Sequence, residues 1–205
     1  MSNLTELVSR RRSAALFEEG APGPDRATLE ALIDLAIQAP NHRLTFPWRF
    51  HVVEGADREA LGALWADEAV ANGWAPESNW DRERAKLSRA PQVIFVGVVS
   101  DPDDAVRQRE DQAATAAAVA QLLLLLEDAG FAGMWRTGRM VISEAIRAAL
   151  AYQPGESIEA ILYVGRRTSR TPPPRIRPAA ARVISWGLHP TPLTSPTAKD
   201  AAARG

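Results

Sequence analysis

The segment Ala39-Pro40-Asn41-His42-Arg43-Leu44-Thr45-Phe46-Pro47-Trp48-Arg49-Phe50 decides the fold when it is set beside the earlier run Arg10-Arg11-Arg12-Ser13. Pro40 ends a helix, so residues 41–47 form a loop and 48–53 a strand. The guanidinium groups of the earlier run offer planar forks of donors to phosphate oxygens, and its serine adds a hydroxyl. An arginine cluster alone is more often a solvated charged face, so the order of these segments carries the argument.

A third informative segment lies far downstream, Gly130-Phe131-Ala132-Gly133-Met134-Trp135-Arg136-Thr137-Gly138. With it, the chain resembles the nitroreductase family, the FMN-dependent homodimeric flavoproteins. The match is to a short branch with a His after the Ala-Pro helix stop and a Trp-Arg-Ser/Thr-Gly motif, and it covers about residues 4 to 165. The resemblance implies an α+β fold of nitroreductase type, in which helices flank a central, mostly antiparallel sheet. It also implies a homodimer with an extended C-terminal tail.

Length and composition limit the possibilities further. A chain of 205 residues, 46% of them hydrophobic, is long enough for one domain with a substantial core. We expect this domain to span 1–190 and 191–205 to be a mobile tail. A net charge of -1 argues against nucleic acid as a partner. Because the chain has no cysteine, redox chemistry would need a bound cofactor to carry the electrons.

Targeting and metal-binding signals are not recognisable in the sequence. The N-terminus lacks the basic-then-apolar order of a secretory signal. The longest apolar stretch, Ala113 to Leu126, is shorter than the about 20 residues that a membrane span needs. We therefore expect a cytoplasmic protein with no membrane contact. Because the chain has only three histidines and no cysteine, we expect no metal site.

Apolar periodicity and capping signals predict the remaining elements. They are a first helix to about Arg12, a helix capped by Asp25, a helix over 57–71 with Leu61, Leu64 and Trp65 on one face, a buried strand over 93–99, a helix over 109–128, a helix from Ser143 to about Leu150, and a strand over 158–164. Residues 166–205 contain seven prolines and cannot form an ordinary helix, although 183–186 could pair as an edge strand.

The predicted helix over 109–128 is apolar nearly all round, which is the pattern of a buried helix. In a chain of this size, a partner subunit makes it easier to cover every side. The family that this chain resembles builds its dimers around such a helix, and its members often wrap their tails over the partner.

The resemblance also implies a set of cofactor-binding residues. Arg11-Arg12-Ser13 would hold the FMN phosphate. Trp135-Arg136-Thr137 would supply a second contribution, because the glycine-rich turn that follows lets backbone amides approach a ligand closely. Of these, Trp135 is expected to pack beside the flavin rather than to contact it specifically.

A further group of residues would frame the flavin ring. The resemblance implies that His42 contacts the flavin across the dimer; without it, this residue is an ordinary exposed loop histidine. Gln38 occupies the other position of that cross-subunit pair, where this branch has arginine. Phe46 stands where the wider family often has glutamine. Trp74 and Trp80 could stack on a flat substrate, the alternative being a role in the core.

The function that follows from the resemblance is an FMN-dependent oxidoreductase. It would take hydride from NAD(P)H and reduce nitroaromatic, quinone or similar planar acceptors by a ping-pong mechanism, with no catalytic side chain because the flavin carries the chemistry. Neither a Gly-x-Gly-x-x-Gly nor a phosphate-loop motif is present. Two alternatives stay open: related flavin chemistry, such as dehalogenation, flavin fragmentation or dehydrogenation, and a non-catalytic flavin-binding dimer.

Overall fold

A computed structural model describes residues 4–168 of the chain. The helices in this part are α1 (Leu4–Arg10), α2 (Arg26–Ala36), α3 (Ala56–Ala71), α4 (Trp80–Arg84), α5 (Ala105–Asp128) and α6 (Glu144–Ala149). The strands are β1 (Trp48–Glu54), β2 (Gln92–Val99), β3 (Ala132–Arg136) and β4 (Glu156–Gly165). The predicted edge strand over 183–186 and the predicted tail over 191–205 lie outside the described residues.

The four strands form one antiparallel sheet in the order β1-β2-β4-β3. Strand β2 pairs on both sides, and seven of its eight residues are buried. The continuous β-branched run is therefore a central strand, as the sequence predicts, because such a strand must be apolar on both faces. The antiparallel sheet with its flanking helices confirms the α+β fold class.

Two apolar layers cover the faces of this sheet. One layer lies under α2 and α5, and the other lies under α3 and α6. Because successive strand residues point to opposite faces, Ile94 and Val96 belong to the α5 layer, whereas Val93 and Phe95 belong to the α3 layer. One face of the sheet thereby carries the long α5. The other face carries the layer to which Trp65 and Trp74 belong.

Strand β3 was not expected, because the sequence indicated only a glycine-rich turn in this region. Its five residues pair with β4 at the edge of the sheet, Met134 opposite Tyr163. Gly133 is required by close packing, since a Cβ at this position would lie 2.4 Å from the Leu123 side chain of α5. A short segment with such a glycine has little strand propensity, so long-range pairing decides its structure.

Three helix predictions need correction. Helix α1 ends at Arg10 rather than at about Arg12, because the chain turns there and the Ala14 amide donates to the Gly133 carbonyl. Leu64 is 43% exposed and does not share the buried face of its helix. Helix α5 begins at Ala105, earlier than expected, and residues 4–168 bury only one of its faces.

The predicted caps are confirmed. The Asp25 carboxylate accepts a hydrogen bond from the Thr28 amide at the start of α2, and the Ser143 hydroxyl accepts one from the Ile146 amide at the start of α6. Such caps satisfy amide groups that the first turn of a helix leaves unpaired.

Within residues 4–168, no helix combines the length and hydropathy that crossing a membrane requires.

Candidate functional site

The predicted phosphate anchor lies beside the start of β3. After α1 ends, Arg11 and Arg12 are half-buried and Ser13 is exposed. The Arg12 Nη1 group donates to the Arg10 carbonyl over 3.3 Å. Its Nε atom is buried and finds no hydrogen-bond partner among the described residues. A buried donor of this kind is costly unless something accepts from it, which makes this guanidinium suited to an anionic ligand.

Sequence reasoning missed a third arginine at this place. Arg167 lies two residues after the end of β4. Its Nη2 group donates to the Arg12 carbonyl over 3.3 Å and pairs with Glu127 over 2.5 Å. Burial lowers the pKa of this guanidinium; Glu127 raises the pKa, and Arg12 and Arg11 lower it. Arg167 therefore lies close enough to Arg12 and Arg11 to feel their charges, and Glu127 is its counter-ion. The signal available was the pair Arg166-Arg167 immediately after the last predicted strand.

A cavity of about 250 Å³ lies beyond the other end of β3. It brings together three of the predicted site residues, Trp74, Arg136 and Thr137. The sequence did not single out Glu83, Lys86 or Tyr163, which also line it. Gly138 leaves β3 at this point with φ of 101°, in the region that favours glycine. The glycine after the Trp-Arg-Thr motif thus allows the chain to turn at the cavity wall.

The polar wall of the cavity is an ion pair fixed by an indole. Glu83 accepts a hydrogen bond from Trp65 Nε1 over 2.8 Å and also pairs with Lys86. Burial raises the pKa of Glu83, but the hydrogen bonds from Lys86 and Trp65 outweigh this effect and hold the pKa below its ordinary value. Trp74 packs against Trp65, with ring centroids 5.8 Å apart. The cavity therefore combines an aromatic wall with fixed charges.

Two of the predicted tryptophans take other positions. Trp80 donates to the Asp67 carboxylate over 2.7 Å and does not line this cavity. Trp135 neighbours Arg136 in β3 and therefore points to the opposite face of the sheet, where it packs against the α5 layer. Its indole nitrogen is buried without a hydrogen-bond partner in the part of the chain that the structure describes.

Gln38 and His42 lie in a different region. Gln38 is exposed just after α2 and donates to the Asp34 carbonyl over 3.2 Å. The His42 side chain is 65% exposed, with Nε2 3.8 Å from a carboxylate oxygen of Glu110, near the start of α5. The same carboxylate lies 3.9 Å from Arg43.

The loop that carries His42 is conformationally strained. Arg43, Leu44 and Phe46 have φ values of 60°, 51° and 49°. For residues with a Cβ atom, this left-handed region costs about 1–2 kcal/mol each. Such a loop persists only where its surroundings hold it. Contacts with neighbouring residues must therefore stabilise this conformation.

The two halves of the predicted cofactor site lie at opposite ends of α5. His42 lies beside Glu110, whereas the Arg12 segment is tied through Arg167 to Glu127. These two glutamates are separated by 17 residues of continuous helix, which corresponds to about 25 Å along its axis. Within one chain, His42 is therefore remote from the anchor. Among residues 4–168, no group of three or more metal-ligating side chains is present.

Comparison with known proteins gives consistent matches. The family model described as the nitroreductase family matches residues 8–166. YdjA of Escherichia coli strain K12, provisionally named an NAD(P)H nitroreductase, is 31% identical over 160 residues, which are 78% of this chain and 86% of that protein. A nitroreductase-like family protein from Bacillus cereus has a TM-score of 0.75 at 26% identity, over 91% of this chain and 98% of that one.

A more distant solved structure shares the fold. It is a variant of the FMN and NADPH-dependent nitroreductase NfnB from Sphigopyxis sp. strain HMH. It has a TM-score of 0.68 at 19% identity, over 90% of this chain and 99% of that chain.

Proposed function

Because the chain belongs to the nitroreductase family, we propose that it is an FMN-dependent oxidoreductase. It would take hydride from NAD(P)H and reduce planar, electron-poor acceptors such as nitroaromatics or quinones. The relatives that the chain resembles are named for these cofactors. When bound, FMN would supply the hydride and electron transfer; the residues of this chain would bind and orient it.

One observation carries the proposal: the predicted phosphate anchor and the charged aromatic cavity lie at the two ends of β3. The anchor segment contacts Gly133 near the start of the strand, and Arg136 lies at its end beside the cavity. These two strand residues are about 10 Å apart at the rise of a strand. A cofactor with a phosphate at one end and a flat ring at the other suits this arrangement.

The residues at the anchor fit a phosphate. Arg12 has a buried donor without a partner among residues 4–168, and Arg11 and Ser13 offer further donors beside it. Charged hydrogen bonds of this kind contribute about 1.5–3 kcal/mol each. At the cavity, Lys86 and Arg136 would lie near the polar edge of the ring, and Trp74 would provide an apolar wall.

The separation along α5 supports a homodimer with composite sites. His42 is about 25 Å from the anchor of its own chain along the helix axis. In a two-fold dimer with antiparallel α5 helices, the start of one helix lies near the end of the other. His42 of one chain would then complete the flavin site of its partner, with Gln38 beside it.

A complementation experiment tests this arrangement. Arg12→Ala and His42→Ala chains are unfolded, mixed and refolded, and FMN binding is titrated by flavin fluorescence. In composite sites, the mixed dimer has one site with both defects and one intact site. Because random refolding makes about half of the dimers mixed, mixing restores wild-type affinity at about one site for every four chains. If each site is built within one chain, every site keeps one defect and mixing restores nothing.

The order of the reaction is tested by steady-state kinetics. We expect both substrates to use the same open face in turn, so rates against NAD(P)H at several acceptor concentrations should give parallel double-reciprocal lines. Intersecting lines would mean that both substrates are bound together. A protein that binds FMN but does not oxidise NAD(P)H with any nitroaromatic or quinone acceptor would contradict the proposed activity.

A further inference from the structure

A fully buried carboxylate on α5 has no part in the site described above. Asp111 is 0% exposed, and its Oδ2 atom accepts a hydrogen bond from Ser100 Oγ over 2.7 Å. Its Oδ1 atom accepts one from Thr45 Oγ1, in the strained loop, and Arg107 Nε lies 3.6 Å from Oδ2. A buried carboxylate is costly unless it is paired and hydrogen-bonded, and here one of its partners is the loop that carries His42.

The hydrogen bonds between this loop and Asp111 all have the carboxylate as their final acceptor. An ionised carboxylate accepts only, so the Thr45 hydroxyl must give its single proton to Asp111. The same hydroxyl is then left to accept from Asn41 Nδ2, 3.0 Å away. This fixes the orientation of the Asn41 amide, whose Oδ1 atom accepts from the Phe46 backbone amide over 2.8 Å. The hydrogen-bonded series Asp111–Thr45–Asn41 thus closes the loop across its two ends.

This hydrogen-bonded series explains how the strained backbone is held. Residues 41–46 contain three residues with positive φ, and the hydrogen bonds of the Asn41 side chain stay within this loop. Among the described residues, Thr45 is the loop residue whose side chain hydrogen-bonds outside the loop, to Asp111. His42 directly follows Asn41, so the orientation of the Asn41 amide also fixes the backbone from which the imidazole projects. We propose that Asp111 is a positioning residue, which presets loop 41–46 and thereby the placement of His42 at the flavin. The flavin part rests on the proposed function.

Two substitutions separate this role from ordinary burial. Thr45→Val and Ser100→Ala each remove one hydroxyl that donates to Asp111, but only the first breaks the connection to the loop. Ser100→Ala is therefore the matched control. Thr45 lies in loop 41–46 and Ser100 directly follows β2, so neither substitution changes α5 itself. Both variants should therefore fold even if substitution of Asp111 prevents folding.

The first measurement does not involve the cofactor. Amide exchange of FMN-free protein is followed by mass spectrometry on a peptide spanning residues 41–47. We expect Thr45→Val to exchange about tenfold faster than wild type, because a charge-assisted hydrogen bond is lost, and Ser100→Ala to exchange at the wild-type rate. Equal exchange in the two variants, fast or slow, would overturn the proposal.

The second measurement is FMN affinity, in the wild-type and the His42→Ala background. If the loop acts through His42, Thr45→Val weakens FMN about tenfold in the first background and less than about twofold in the second. Equal weakening in both backgrounds would overturn the positioning role. If exchange accelerates but His42→Ala binds FMN like wild type, the assignment of His42 in the proposed function fails, and with it the flavin part of this inference.

Discussion

Replacing Arg167 with methionine should destabilise the protein through a single buried ion pair. The side chains of Arg167 and Glu127 are 18% and 11% exposed, and their charged atoms lie 2.5 Å apart. Arg167→Met keeps an unbranched apolar stem of similar length but leaves the Glu127 carboxylate without its cation. It also leaves the Arg12 carbonyl without the donor that joins it to the end of β4.

The magnitude follows from the partial burial. Removing one partner of a fully buried ion pair costs about 3–5 kcal/mol, because a charge is left unpaired. Here both side chains keep some contact with water, so we expect a loss of about 2–3 kcal/mol in the free energy of unfolding. Removing both charges, in Arg167→Met with Glu127→Gln, should recover about half of that loss, since no unpaired charge remains.

Urea unfolding of FMN-free protein at neutral pH measures this prediction, with the four proteins of the double-mutant cycle compared at equal concentration. FMN titration of the same proteins should show weaker binding in Arg167→Met, because the anchor loses a nearby cation and a backbone restraint. If the single variant unfolds within about 0.5 kcal/mol of wild type, the pair contributes no more than an exposed one, and the reasoning is refuted.

Three further predictions concern stability. Gly62→Ala should lower the free energy of unfolding by about 2 kcal/mol, since its Cβ would lie 2.3 Å from the Arg84 carbonyl oxygen; a higher urea midpoint would contradict this. Asp25→Ala should lose about 1 kcal/mol in the same assay and Asp25→Ser much less, because serine also caps the Thr28 amide. Burial lowers the pKa of His51 below 6.5, so the unfolded chain binds the proton first as the pH falls, and stability decreases below that pH. His51→Gln should flatten this dependence in urea midpoints measured from about pH 7.5 to 5, and an unchanged slope would exclude His51 as its source.

The elements that were predictable are those whose own residues specify them. The β-branched run over 93–99 can only be a buried strand, and the caps Asp25 and Ser143 satisfy the amide groups of the turn that directly follows each of them. Strand β3 could not be predicted, because its five residues owe their extended form to pairing with β4. Leu64 satisfied the apolar pattern of its helix, but α3 packs through the neighbouring face.

The candidate site also contains residues that the sequence could predict and residues that it could not. The order of motifs was enough to single out Arg12, Arg136 and His42. Arg167 and Lys86 lie outside those motifs, and only folding brings them to the same places. The hydrogen bond from Arg167 to the Arg12 carbonyl spans 155 positions in the chain, a distance over which no local pattern gives information. Asp111 is hidden for the opposite reason, since an acidic residue near the start of a helix, here next to Glu110, is unexceptional in a sequence.

The uninterrupted length of α5 makes this helix a rigid spacer with a fixed phase. One inserted residue would lengthen it by about 1.5 Å and rotate everything after the insertion by about 100°. Leu122 and Leu126 would then turn away from the sheet, and Glu127 would turn away from Arg167, at the same time. Loops can absorb an added residue by bulging, whereas a helix transmits it along its whole length. Changes in chain length should therefore be tolerated on either side of 105–128 and rejected within it.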